Sequence, residues 1–274
     1  PCRQCRAGIV SVHARQPLKR LALLLCLGLA QAQAAGPVAV RSLRFVTEPF
    51  PPFTFEQGGQ AVGPMVDVLY EACRRLRWHC EIEVMPWRRA LTLAEAGRVD
   101  GIFTVVDIPE RRAAFHISPP VVKAHYSLYT QAGQTLAYRR PADLAGREVG
   151  VYGPSATART LQDLLAGVSG ADIRVERDNL TVLRKLAAGR YGANGVAMVN
   201  RDVASWLINN NAIGGLKLIA SVRDLQYSFG LSRLRTSQTT ADEFASVLQQ
   251  LCREGRTQRI AGGYRLSAAE CRAR

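Results

Sequence analysis

The chain has 274 residues, 47% of them hydrophobic and 21% charged, and its 36 Lys and Arg outnumber its 22 Asp and Glu to give a formal net charge of +14. This length allows one large α/β domain or two smaller lobes. The arginines are scattered, without the basic run or recognition motif of nucleic-acid-binding proteins, and we expect no nucleic-acid partner. The excess charge favours anionic ligands by steering, or simply reflects an arginine-rich surface.

The beginning of the chain has the three parts of a secretory signal. A positive region at residues 15–20 precedes an apolar run at 21–30, and small residues follow as far as Ala35. The apolar run is too short to span a bilayer comfortably. We expect cleavage near Ala34 or Ala35 and export of the remainder. Residues 1–35 are therefore assigned to an upstream segment and signal peptide, outside the fold.

Four cysteines follow the signal, an even number that suits an oxidising compartment. Cys73 lies at the end of a predicted helix and Cys80 at the start of the next strand, whereas Cys252 ends a later helix and Cys271 lies in the tail. These spacings favour the local disulfides Cys73–Cys80 and Cys252–Cys271. A metal site or free thiols are the alternatives.

In the first unit, hydrophobic periodicity predicts strands that alternate with helices. The predicted strands are 44–47, 81–85, 99–105 and 121–130. A proline-rich loop at 48–53 follows the first strand. Pro64 opens one helix, and a second carries an apolar stripe from Trp87 and ends at Gly97.

A second unit begins near Gln131. The predicted strands are 148–152, 173–176, 195–199, 216–220 and 225–231. Helices are predicted after residues 153–157, after a cap at Asn179, through Trp206 and around Phe244. Alternation of this kind predicts mainly parallel sheets covered by helices on both faces. The long stretches at 121–130 and 225–231 would cross between the two units.

Four short motifs in the first unit carry a family resemblance. Residues 86–91 read PWRRAL, 96–101 read AGRVDG, 108–111 read IPER and 117–119 read ISP. In this order and spacing they resemble the bacterial solute-binding proteins of family 3, which capture polar amino acids for ABC importers.

The resemblance implies an α/β fold of the two-lobed periplasmic-binding-protein type II, with two hinge strands and an interlobe cleft. Lobe 1 would comprise 36–128 and 230–274, and lobe 2 would comprise 129–229. It further implies a periplasmic, monomeric protein that captures a small amino-acid-like or carboxylate-bearing solute by hinge closure. The partner would be an inner-membrane ABC permease, and no cofactor or metal is expected.

The resemblance also implies roles for individual residues. Arg111 would grip the ligand carboxylate with its planar guanidinium, whereas the alternative is a surface arginine. Phe50 and Trp87 would sandwich the ligand, although core packing explains them equally simply. Ser155 and Thr157, where a strand turns into a helix, would meet the carboxylate from the second lobe, with a plain helix cap as the alternative.

Three positions depart from the family pattern. Val106 stands where a Thr or Ser is common, and Thr104 where a Gly or Ser is common. Asn200 replaces the Asp that usually pairs with the ligand ammonium, so binding of an ordinary α-amino acid is not implied. Glu48 is a candidate to supply the missing negative charge, with a solvated loop carboxylate as the alternative.

The sequence shows no catalytic constellation. His79, His116 and His125 are scattered, and no nucleotide loop, nucleophile elbow or metalloprotease motif occurs. We therefore expect a binding protein and not an enzyme. The alternatives are an enzyme resembling the cyclohexadienyl dehydratases, which share this fold, and a sensory binding protein without a transporter.

Overall fold

One mixed β-sheet runs through the part of the chain described by the structure, a computed structural model that covers residues 40–271. The predicted signal at 1–35 lies outside the described residues. Among those described, none of the helices combines the length and the apolar character needed to cross a bilayer.

The first part of the chain contributes a set of alternating strands and helices. They are β1 (Ser42–Thr47), β2 (Phe55–Gln57), β3 (Gln60–Val62), α1 (Pro64–Leu76), β4 (His79–Val84), α2 (Trp87–Glu95), β5 (Gly101–Val106), α3 (Pro109–Ala114), β6 (Phe115–Ile117) and β7 (Val122–Gln131). Strands β2 and β3 form a separate hairpin. The sequence also predicts a turn at 108–111 with a strand after it, and that strand is β6. The hairpin and α3 were not predicted, because each is shorter than the periodicity can resolve.

The second part repeats the alternation and then returns to the first. Its elements are a 3-10 turn (Pro141–Leu144), β8 (Glu148–Tyr152), α4 (Ala156–Leu164), β9 (Asp172–Glu176), α5 (Asn179–Ala187), β10 (Val196–Asn200), α6 (Arg201–Asn210), β11 (Leu216–Ser232), α7 (Gln238–Arg253) and α8 (Arg256–Gly263). Phe244 of α7 packs its ring 6.1 Å from that of Phe45 in β1, which places the C-terminal helices on the first part of the sheet.

The strand order is β4-β1-β5-β11-β7-β10-β8-β9, with β6 also paired to β11. Strands β4, β1 and β5 are mutually parallel, as are β9, β8 and β10. Between these groups, β7 and β11 pair antiparallel with each other and with their outer neighbours. The two-lobed fold with two crossing strands is thus confirmed, while the prediction of mainly parallel sheets holds only within each group.

Strand β11 differs from its prediction. The sequence predicts separate strands at 216–220 and 225–231, because the polar residues between them interrupt the apolar pattern. The structure continues as one 17-residue strand, in which Ser221 pairs with Ser127 and Asp224 with His125. Polar residues on an antiparallel strand face solvent on one side, so a break in hydrophobicity is not a break in pairing.

Two other local predictions are corrected. Helix α5 is capped by Asp178, whose carboxylate accepts from the backbone N–H of Thr181 at 2.6 Å, and Asn179 is the first helical residue. Both are suitable cap residues, and the extended backbone at Asp178 decides between them. The segment at residues 109–111, predicted as a turn, is the first half of α3.

Both predicted disulfides are present. Cys73 of α1 is joined to Cys80 of β4, with Cα atoms 6.3 Å apart, and Cys252 of α7 is joined to Cys271, with Cα atoms 5.7 Å apart. Each bond ties the end of a helix to the segment that follows it. In the chain-entropy account, such closures stabilise by restricting the unfolded chain.

Candidate functional site

A cavity lies where the carboxyl ends of β1, β5 and β8 meet the two crossing strands. The space in it that the centre of a water-sized molecule can reach is about 30 Å³. The lining residues come from both parts of the sheet and are Glu48, Phe50, Trp87, Thr104, Val106, Arg111, Tyr126, Tyr152, Ser155, Ala156, Thr157 and Tyr227. Carboxyl ends of parallel strands are where ligands bind in α/β folds, and this cavity is the candidate site.

Glu48 follows β1 and faces the cavity, which argues against the solvated-loop alternative. Its Oε2 accepts a hydrogen bond at 2.8 Å from the hydroxyl of Tyr152, at the end of β8. The contact therefore joins the two parts of the sheet. Burial raises the pKa of Glu48 to about 8, an effect that the hydrogen bond from Tyr152 only partly offsets.

Arg111 reaches the cavity from α3. Its Nη1 donates at 2.8 Å to Oε1 of Glu95, and its side chain is 17% exposed. Burial lowers the pKa of Arg111 from its ordinary value, with Glu95 acting in the opposite direction. A guanidinium has five N–H donors, so the ion pair with Glu95 leaves most of them for an anion in the cavity.

Thr104 lines the cavity because of an irregularity in β5. Strand β11 pairs Ser228 with Val105 and Phe229 with Phe103, so Thr104 has no partner in the ladder. Its φ is +66°, a conformation that β-branched residues rarely adopt. Bulges of this kind redirect side chains near binding sites. Backbone strain at a cavity wall is a mark of a functional position.

Aromatic rings form much of the wall. Phe50 stacks on Phe53 with ring centres 5.7 Å apart and meets Tyr227 edge-on at 5.8 Å. Phe53 is fully buried and does not line the cavity. Trp87 begins α2, is buried and also lines the cavity.

Three tyrosines line the cavity without having been predicted. Tyr126 belongs to β7 and Tyr227 to β11, about a hundred residues apart in sequence, and Tyr152 ends β8. Each sits in a strand whose alternation explains it without any ligand. The signal that could have found them is their position on, or at the end of, strands expected to border the cleft.

The turn into α4 carries the predicted second-lobe residues. Ser155 is the helix cap, since its Oγ accepts from the N–H of Ala158 at 3.1 Å and donates to the carbonyl of Tyr152 at 2.6 Å. Thr157 is buried in the first helical turn. Both line the cavity. Ser155 is thus a helix cap and also a residue of the candidate site.

Asn200 does not belong to the cavity wall. Its Oδ1 accepts from the N–H groups of Asp202 and Val203 at 2.9 and 3.1 Å, which caps α6, and its Nδ2 donates to the hydroxyl of Tyr227 at 3.1 Å. Both ends of the amide are used within the protein. Asn200 thus supports Tyr227 rather than facing a ligand, in contrast to its predicted place.

No metal site accompanies the cavity. Within residues 40–271, His, Cys, Asp and Glu side chains nowhere gather in the groups of three that could hold a metal ion. The charged groups at the cavity are one carboxyl and one guanidinium, those of Glu48 and Arg111. The arrangement is suited to holding a small charged molecule between aromatic surfaces.

Known proteins resemble this chain in sequence and in fold. Over 180 residues, 64% of this chain and 69% of the relative, the sequence is 27% identical to the histidine-binding periplasmic protein of Salmonella typhimurium (strain LT2). The fold matches a histidine kinase sensor domain with similarity to periplasmic binding proteins (TM-score 0.75, 19% identity, 84% of this chain and 99% of the other). It also matches an ancestral arginine-binding protein bound to arginine (TM-score 0.72, 20% identity, 81% and 97%). Residues 43–266, most of the chain, match a single family, and the protein therefore belongs to the bacterial extracellular solute-binding proteins, family 3.

Proposed function

We propose that this protein is the periplasmic receptor of an ABC importer and binds a small carboxylate-bearing solute in the cavity. One observation carries the proposal. A partly buried guanidinium, that of Arg111, lies with aromatic rings in a cavity between two groups of parallel strands. A desolvated planar donor beside ring surfaces recognises a small carboxylate.

In this proposal the protein has two lobes, 36–128 with 230–274 and 129–229. The solute first meets the lobe-1 residues Arg111, Phe50 and Trp87. Contacts from Ser155 and Thr157 then favour the closed state, because a ligand shifts an equilibrium only by its differential contacts. The hydrogen bond from Tyr152 to Glu48 already spans the same gap.

The proposed partners are the solute and an inner-membrane permease that reads the closed monomer. The Salmonella relative is described as histidine-binding, and a structural neighbour holds arginine. Histidine and arginine therefore belong in a first ligand screen, together with other amino acids, polyamines and small carboxylates. Thermal-shift measurements on the purified protein provide that screen, and calorimetry follows on each positive compound.

The decisive variant is Arg111→Ala. Loss of a desolvated carboxylate partner should weaken binding by about 2–5 kcal/mol while the fold is retained. The matched control is Arg112→Ala, because Arg112 is the next residue, is 65% exposed and pairs with Asp107 outside the cavity. If the Arg111 variant and the wild type bind the solute with equal affinity, Arg111 is a surface residue and does not hold the carboxylate.

A second candidate function is favoured by one observation. Because burial raises the pKa of Glu48 to about 8, its carboxyl keeps a proton near neutral pH, as a general acid in an elimination requires. This suits an enzyme resembling the cyclohexadienyl dehydratases. Incubation of the purified protein with prephenate and with arogenate tests it. Turnover by the wild type that is lost in Glu48→Gln would support the enzyme. If the wild type shows no turnover, the receptor remains the proposed function.

A further inference from the structure

Five of the twelve residues that line the cavity are aromatic. They are Phe50, Trp87, Tyr126, Tyr152 and Tyr227. They come from the loop after β1, from α2, from β8 and from both crossing strands. A ligand in this space therefore meets ring surfaces from both parts of the sheet.

The hydroxyl groups of these tyrosines are already engaged. Tyr152 donates to Glu48, and Tyr227 accepts from Asn200 and lies beside the hydroxyl of Tyr126. The hydroxyl of Ser155 is used at the helix cap. Each of these oxygens still has a lone pair that can accept from an N–H group, so hydrogen bonding does not by itself exclude a primary ammonium. The aromatic surfaces are the feature that favours a methylated cation.

Glu48 is the one acidic residue in the lining. Its contact is with a neutral hydroxyl, and burial raises its pKa to about 8, so the carboxyl keeps its proton near neutral pH. A positive group placed beside it would favour the ionised carboxylate and pair with it.

We propose that the ligand is a betaine-type solute, in which a short chain joins a carboxylate to a fully N-methylated ammonium. The methylated cation lies among the aromatic rings beside Glu48, and Arg111 holds the carboxylate. A methylated ammonium has no N–H group to satisfy, and the faces of aromatic rings attract it. This inference rests on the proposed function, because it names the solute class of the same cavity.

Calorimetry with matched probes tests the proposal. The first set is N,N,N-trimethylglycine, its parent glycine, and 3,3-dimethylbutanoate, which has the shape and carboxylate of trimethylglycine without its positive charge. The second set lengthens the chain: 4-(trimethylammonio)butanoate, 4-aminobutanoate and 5,5-dimethylhexanoate. In at least one set, the methylated cation should bind about tenfold or more tightly than both companions, in keeping with cation–π and charge contributions.

Two variants test the cation site. Glu48→Gln and Trp87→Leu should each weaken binding of the methylated cation about tenfold more than binding of the uncharged analogue. Glu56→Gln, at an exposed position of β2, is the matched control and should change neither.

The proposal is overturned if the uncharged analogue binds as well as the cation, if the parent amino acids bind more tightly, or if neither set binds. Each result also bears on the receptor function separately. Binding of other amino acids or carboxylates in the wider screen would leave the receptor function standing without the betaine class. A screen without any bound solute would remove both.

Discussion

Replacing Glu48 by Gln should change how stability depends on pH. The amide keeps an acceptor for the hydroxyl of Tyr152, which donates to Glu48 at 2.8 Å, and removes the titration. Because burial raises the pKa of Glu48 from 4.5 to about 8, the folded protein binds more protons than the unfolded chain between these values. The contribution of Glu48 is therefore fully present below pH 4.5 and is lost as the pH rises through 8.

The magnitude follows from that shift. At about 1.4 kcal/mol per pKa unit, the full change over this shift is on the order of 5 kcal/mol. It is an upper limit, because opening of the cavity would return Glu48 to water. The other titratable groups that face Glu48 do not change their charge in this pH range. Burial raises the pKa values of Tyr126, Tyr152 and Tyr227, which stay neutral over this window, and Arg111 stays charged.

Urea denaturation at a series of pH values from 5 to 8.5 measures the effect as the difference in unfolding free energy between wild type and Glu48→Gln. We expect the variant to gain on the wild type steadily as the pH rises, by about 1–4 kcal/mol over the range. Glu56→Gln, at an exposed site on β2, is the control. A difference between wild type and Glu48→Gln that stays constant with pH would refute the reasoning.

Two further predictions concern stability. Replacing Cys252 and Cys271 together by Ser should lower the unfolding free energy by about 2–4 kcal/mol, and reduction of the wild type, which opens both disulfides, should give a larger loss; non-reducing peptide mapping would detect any cross-pairing with Cys73 or Cys80. Asn200→Ala should cost about 1–3 kcal/mol in chemical denaturation, because it removes the cap of α6 and the donor to Tyr227, whereas Asn200→Asp keeps the cap and should cost less. Equal losses in the two Asn200 variants would contradict the capping argument.

The alternation of strands and helices could be predicted because each buried strand and amphipathic helix carries its own periodicity. Arg111 and Trp87 could be placed at the site because they lie in short, ordered motifs. Both kinds of signal are carried by residues close together in the sequence. Features that depend only on neighbouring residues could therefore be predicted without knowledge of the fold.

The remainder depends on contacts between distant residues. Tyr126 and Tyr227 become neighbours at the cavity only through the pairing of β7 with β11. The role of Asn200 depends on which way its amide turns, toward a helix end and a tyrosine rather than toward the cavity. A strand-end position alone does not determine which way the amide turns. The sequence therefore suggested a ligand contact, whereas in the structure Asn200 donates to Tyr227 and caps α6.

The long strand β11 has a consequence for affinity. Its pairing with β7 shifts register between Leu218 and Ala220 and again between Ser221 and Arg223, which leaves Ile219 and Val222 outside the ladder. Bulges bend and twist a strand locally, so under the proposed closure these two points are where β11 would bend. An apparent dissociation constant scales inversely with the fraction of molecules able to close. Under that proposal, substitutions at Ile219 or Val222, which do not line the cavity, would change how tightly the protein holds its solute without altering which solute it selects.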